Sequence, residues 1–201
     1  AEELGLVAEL DREILDHAVA AHRRLVQAGV ELRSISVNVS ARRLASPDLL
    51  EELRGRADLP KGLAFEILET AHLDTLDADL SETVAALKAL GIRIEVDDFG
   101  TGHASLASIL ALQPDALKID RMFVTGVDRD TVRADLMQSL VGIAARFGAE
   151  TIVEGVESMA EAHVLARLGA DRLQGYAFSR PMPLDDLLAQ FDETRTSRSA
   201  F

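Results

Sequence analysis

Six short stretches of this chain alternate with helical ones, and none is joined to the next by a hairpin turn. That pattern constrains the fold more than any other feature, because parallel strands need crossover connections. Residues 34–40 (SISVNVS) set Ile35, Val37 and Val39 on one face and Ser36, Asn38 and Ser40 on the other, the period of a strand. The same period fits 63–68, 92–98, 116–120, 150–155 and 172–178. Between them Leu73, Leu76, Leu80, Val84, Leu87 and Leu90 recur at helical spacing, as do Leu136, Leu140, Ile143 and Phe147. Gly91 and Gly148 read as stops, Ser46 before Pro47 as an N-cap, and Ser158 with Glu161 as a capping box. Residues 1–28 and, more weakly, 183–190 also read as helical, and the polar tail TRTSRSAF reads as frayed.

Strict alternation leaves two α/β architectures, a doubly wound sheet or a (β/α) barrel. A doubly wound sheet is covered on both faces, so its strands read as nearly continuous apolar runs. Here one face is apolar and the other carries a polar group near its C-terminal end: Asn38, Glu66, Asp97, Lys118, Glu154 and Gln174. A TIM-type (β/α)8 barrel accounts for this, since its inward residues at the C-terminal strand ends form the mouth where active sites sit. Such a barrel has eight strands in about 250 residues, and six are visible in these 201. Two strands before Ala1 are therefore expected; the alternative is a six-stranded open sheet complete in itself. Deeper in the same face Arg93 and Glu95 read as a buried ion pair.

Composition removes several function classes. With 21 Lys plus Arg against 34 Asp plus Glu the formal charge is −13, which repels a polyanion, so duplex nucleic acid is not an expected partner. There is no cysteine, hence no disulfide scaffold or thiolate metal site. No apolar run reaches the roughly 18 residues of a membrane span, and AEELG lacks the order of a signal peptide. A cytoplasmic location follows as the expectation, with room for attachment to a larger, membrane-associated signalling protein.

The nucleophile elbow, the P-loop and the HExxH zinc motif are all missing, and His17, His22, His72, His103 and His163 are scattered. Gly100-Thr101-Gly102 begins a dinucleotide fingerprint, but Asp97 and Asp98 stand directly before it. Two carboxylates there repel a pyrophosphate unless a divalent cation intervenes. Asn38, Glu66, Asp97, Asp98 and Glu154 make an oxygen-rich ring suited to a hard cation, Mg²⁺ or Mn²⁺. Lys118 is the cation at that mouth, placed to orient a water or to stabilise phosphoryl charge. Plainer readings stand beside these: Asp97 capping a helix with Asp98 facing water, and Lys118 in a plain salt bridge to Asp120 or a neighbour.

The ordered set SVNVS (36–40), FEILET (65–70), EVDDFGTG (95–102), LKID (117–120), VEGVES (153–158) and LQGYAFSRP (173–181) resembles the EAL-domain family of cyclic-di-GMP phosphodiesterases. The resemblance spans residue 1 to about 190, as one barrel domain, with 191–201 as a polar tail. It implies a modified (β/α)8 barrel that uses two divalent ions to hydrolyse cyclic di-GMP to linear pGpG. By motif, Asn38, Glu66 and Asp97 would bind one metal, with Asp97 bridging to a second held by Asp98 and Glu154. Lys118 would hold the attacking water and Gln174 would support that region. Glu69 resembles the glutamate that orders the loop after Asp97-Asp98, a loop coupled in the family to homodimerisation.

The sequence also departs from the family. No Glu-Ala-Leu occurs in these residues, nor the nearby arginine that contacts substrate phosphate, and His103 and Ala104 replace a tyrosine and a serine. The expected function is a metal-dependent phosphodiesterase. The alternatives are an inactive EAL-like module that binds cyclic di-GMP or a partner protein, and an unrelated barrel hydrolase of another phosphate ester.

Overall fold

The computed structural model describes residues 7–68, 78–101, 109–110 and 112–198. Within them six strands form one parallel sheet in sequence order: β1 (Ile35–Asn38), β2 (Leu63–Leu68), β3 (Arg93–Phe99), β4 (Ala116–Ile119), β5 (Glu150–Val153) and β6 (Arg172–Leu173). The described helices are α1 (Val7–Gln27), α2 (Ala41–Leu44), α3 (Asp48–Arg54), α4 (Ala78–Ala89), α5 (Thr131–Phe147), α6 (Met159–Arg167) and α7 (Leu184–Arg198), with a 3-10 turn at Arg121–Phe123.

The two faces of the sheet divide as the alternation dictates. Val37, Phe65, Ile67, Ile94, Val96, Leu117, Ile119 and Val153 are buried in a core shared with Leu15 and Val19 of α1, Leu87 of α4, Met137 and Leu140 of α5 and Leu165 of α6. A fully buried side chain such as Phe65 contributes about 3 kcal/mol through its removal from water, so this outer face holds the helices in place.

The opposite face is concave and polar. Arg172 of β6 donates through Nη1 to Ser34 Oγ, just before β1, at 3.1 Å. A cavity of about 430 Å³ within the curl is lined by residues from all six strands and the turns beside them, among them Ser36, Glu66, Glu95, Lys118, Ile152 and Arg172. The sheet thus bends its last strand towards its first, as the wall of a TIM-type barrel does.

Several sequence expectations are corrected in detail. Arg93 does not pair with Glu95: it forms an ion pair with Glu150 at 2.7 Å, and Arg172 joins the same carboxylate. Inward residues two strands apart reach one another across the curl, and Glu95 likewise takes a hydrogen bond from Ser36 Oγ at 3.0 Å. Ser46 does not cap α3, whose first turn follows Pro47 without a side-chain cap. Ser40 is the capping residue here, receiving the Arg43 N–H to start α2. Strand β6 stops at Leu173 because the chain folds back at once, with Ala177 N–H donating to Val156 O and Phe178 N–H to Gly175 O. Helix α7 runs on to Arg198, beyond the expected 190.

Candidate functional site

The C-terminal ends of the strands carry the inward polar groups into one neighbourhood. Lys118, in the middle of β4, is flanked by buried Leu117 and Ile119, and its side chain is 6% exposed. Its Nζ lies 2.8 Å from Glu66 of β2, 3.2 Å from Asp97 of β3 and 2.8 Å from Glu154, directly after β5. Parallel register explains the convergence. Asn38 is the Cα partner of Glu66, and Glu66 that of Glu95, two residues below Asp97.

The electrostatics follow from that geometry. Burial alone would lower the Lys118 pKa, but hydrogen bonds to Glu154 and Glu66 and their charges outweigh it and raise it above the ordinary lysine range. Glu154 is pushed up, first by burial and then by the nearby charges of Asp97 and Glu66, against the opposing pull of Lys118. The cluster holds more negative charge than its one ammonium neutralises.

Backbone strain marks the same place. Asp98 has φ 58°, a left-handed conformation that non-glycine residues rarely adopt, and the β3–β4 register shifts between Val96 and Phe99. The Asp98 N–H donates to Asp97 Oδ1 at 3.0 Å, holding that carboxylate. This local break lets adjacent aspartates leave the strand in different directions.

The structure therefore gathers Glu66, Asp97, Glu154 and Lys118 directly, and places Asn38 beside Glu66 and Asp98 beside Asp97. Gln174 lines the wall between two cavities, its N–H donating to Val153 O at 2.8 Å and its carbonyl accepting from Val156 N–H at 3.0 Å. Glu69, His72, His103 and Ala104 lie outside the described residues. The salt bridge of Lys118 is to its neighbours Glu66, Asp97 and Glu154 and not to Asp120, whose carboxylate accepts the Met122 N–H at 2.7 Å and caps the 3-10 turn.

Sequence reading missed a second hollow of about 240 Å³ beside the cluster, lined by Arg121, Glu157, Gly175 and Tyr176 together with Asp120, Glu154, Gly155 and Gln174. Its walls approach one another too closely for a side chain at two points. A Cβ on Gly155 would overlap the Arg121 side chain, and one on Gly175 would overlap Val156. The two glycines in VEGVES and LQGY were the available signal, since a glycine after a strand often marks a close approach.

Among the described residues no three His, Asp or Glu side chains are spaced to hold a metal ion as they stand. The cation between the carboxylates is the lysine ammonium. Its partners are nonetheless the oxygen-only donor set that hard divalent ions prefer, and they already converge on one positive charge. The residues fit such an ion by their chemistry.

A parallel α/β sheet curled round an acidic cluster at its C-terminal strand ends is a TIM-type arrangement. The chain belongs to the EAL domain family, which it matches over residues 1–181. It is 35% identical over 193 residues to the bifunctional diguanylate cyclase/cyclic di-GMP phosphodiesterase MucR of Pseudomonas aeruginosa, covering 94% of this chain and 28% of that protein. It is 33% identical over 189 residues to cyclic di-GMP phosphodiesterase NbdA of the same organism, covering 92% and 24%. The chain thus spans about a quarter of the length of these relatives. Among solved structures, the PaMucR phosphodiesterase in a c-di-GMP complex superposes with a TM-score of 0.81 at 34% identity, covering 93% of this chain and 77% of that one. Klebsiella pneumoniae BlrP1 in a manganese/cyclic di-GMP complex gives 0.72 at 27%, covering 87% and 45%.

Proposed function

We propose that this chain forms the catalytic barrel of a metal-dependent phosphodiesterase that hydrolyses cyclic di-GMP to linear pGpG. The observation that carries this reading is the convergence of Glu66, Asp97 and Glu154 on Lys118 at the C-terminal strand ends. The named activities of MucR and NbdA, and the nucleotide and manganese in the related structures, support it.

In this reading Asn38, Glu66 and Asp97 would hold one divalent ion, Mg²⁺ or Mn²⁺, and Asp97, Asp98 and Glu154 would hold a second. Such ions, when bound, neutralise phosphoryl charge and acidify a water. The lysine ammonium donates to the water oxygen and fixes its approach to phosphorus. Glu154 accepts the water's proton as the new P–O bond forms. The P–O3′ bond then breaks and the departing oxygen takes up the proton that Glu154 accepted, relayed through solvent, leaving a 3′-hydroxyl and a 5′-phosphate on the linear product. Gln174 holds the wall beside Glu154, and Glu69 orders the loop after Asp97-Asp98.

We also assign a cytoplasmic location, supported by the acidic, cysteine-free composition; no helix among the described residues is long and apolar enough to cross a membrane. A homodimer formed through the loop after Asp98 is part of the same reading. Val132 and Leu136, one turn apart on α5 and 73% and 46% exposed, supply an apolar face for it.

Incubation of the intact protein with cyclic di-GMP and Mg²⁺ or Mn²⁺, followed by chromatography, tests the activity. Accumulation of pGpG is expected. Tight binding without pGpG over hours would make the chain a receptor instead.

A further inference from the structure

Glu161 sits at the third position of α6 and is only 8% exposed. Half of its surroundings are those of an ordinary capping box: its N–H donates to Ser158 Oγ at 3.2 Å and its Oε2 accepts the Ser158 N–H at 3.0 Å. The other half exceeds what a helix start requires. Oε2 also accepts the Glu157 N–H at 3.1 Å, and Oε1 accepts the N–H of Gly126, 35 residues earlier, at 3.4 Å. One buried carboxylate therefore ties the turn after β5 to the turn that follows β4.

Those two turns both line the smaller hollow. The β5 turn bears Glu154 and Glu157, and the β4 turn bears Arg121, against which Gly155 packs too closely for a side chain. Hydrogen bonds from backbone amides to a buried carboxylate are about twice as strong as neutral ones. Two of them anchor the carboxylate to the β5 turn and the third, at 3.4 Å, reaches the β4 turn, which restrains a relative position that van der Waals contact alone would leave free to slide.

We propose that Glu161 is a positioning residue: its carboxylate clamps the β4 and β5 turns together and so sets where Glu154 stands relative to Lys118. This rests on the phosphodiesterase reading for its effect on turnover, but not for the clamp itself.

The experiment compares Glu161→Ala, Glu161→Gln and Ser158→Ala in the intact protein. Ser158→Ala removes the other half of the helix cap while leaving all three amide bonds to Glu161. Both alanine variants should lose similar thermal stability. Only Glu161→Ala should lower kcat on cyclic di-GMP, by about 10²-fold for a displacement on the order of 1 Å, with KM changed far less. Glu161→Gln keeps one acceptor oxygen and should recover part of that loss. Hydrogen exchange, read without substrate, should show amide protection lost at Gly126 and Glu157 in Glu161→Ala but kept in Ser158→Ala. If Glu161→Ala keeps that protection, or if both alanine variants lose kcat equally, the clamp is overturned. A wild type that makes no pGpG while the exchange pattern holds would overturn the phosphodiesterase reading and leave the clamp standing.

Discussion

Arg172 in the last strand and Ser34 beside the first, 138 residues apart in sequence, are joined by a 3.1 Å hydrogen bond. The same guanidinium grips Glu150, which Arg93 holds from the other side. A polar girdle thus runs across the base of the curl, below the cluster round Lys118. Each layer depends on side chains that cross the interior rather than on neighbours along a strand.

Replacing Lys118 by Ala should separate binding from turnover. Affinity for cyclic di-GMP should stay near the wild-type value while kcat falls about 10²-fold or more, since a group that acts in the transition state leaves the ground-state complex intact. Without metal, three carboxylates would face one another unneutralised, at a cost of about 3 kcal/mol. Thermal melts should therefore show Mn²⁺ raising the midpoint of the variant more than that of the wild type. Equal responses to metal would contradict the arrangement.

Asp97→Asn should abolish turnover because it weakens both proposed ion sites, whereas Asp98→Asn should remove chiefly one ion. Anomalous scattering from crystals soaked in Mn²⁺ should give two peaks within about 4 Å in the wild type. The Asp98 variant should give one. No peak at saturating Mn²⁺ would end the two-ion proposal.

Glu150 supplies the pH dependence. Burial alone would raise its carboxyl, but the guanidiniums of Arg172 and Arg93 outweigh burial and hold it below its ordinary 4.5. As pH falls, the unfolded chain therefore binds the proton first. The stabilisation is complete above 4.5 and is lost as pH drops through the depressed folded value. Glu150→Gln should accordingly be less stable than wild type at about pH 7, and the two should converge in strong acid. Urea titrations at both conditions decide; a gap that persists in acid would mean the loss is one of packing.

Two glycines give opposite expectations. Gly155 has φ 68° and no room for a Cβ beside Arg121, so Gly155→Ala should cost about 2 kcal/mol or more. Gly142, inside α5, has nothing within 4 Å of where a Cβ would stand. Gly142→Ala should stabilise by about 0.5–1 kcal/mol. Chemical denaturation of both variants checks the pair, and a neutral Gly155→Ala would show that the turn is looser than its contacts imply.

Leu136→Asp should convert the proposed dimer to monomer without altering the fold, because it puts a charge on an exposed apolar face. Light scattering reads the mass directly. A wild type that is monomeric at high concentration would remove the dimer from the proposal.

Much of this arrangement was legible in the sequence because period-two alternation fixes which side chains share a face. Asn38, Glu66, Asp97, Lys118 and Glu154 fell on the inward face by parity alone, and the sheet keeps that parity. Partnership across the curl was not legible. Arg93 and Glu95 lie on one strand and face inward together, yet Arg93 selects Glu150 because curvature brings that carboxylate nearer. The second role of Glu161 was hidden for a similar reason: a capping box is a local signal, whereas the bond from Gly126 depends on how two turns meet in space.

The sheet order has one more consequence. Since every described strand lies beside its neighbour in sequence, residue number behaves as an angular coordinate round the mouth, advancing from Asn38 through Glu66, Asp97, Lys118 and Glu154 to Gln174 like hours on a dial. Lengthening any crossover widens the outer rim at one hour and leaves the sequence of hours unchanged. A chain so wired can exchange the periphery of its site one sector at a time while the inner face keeps its register.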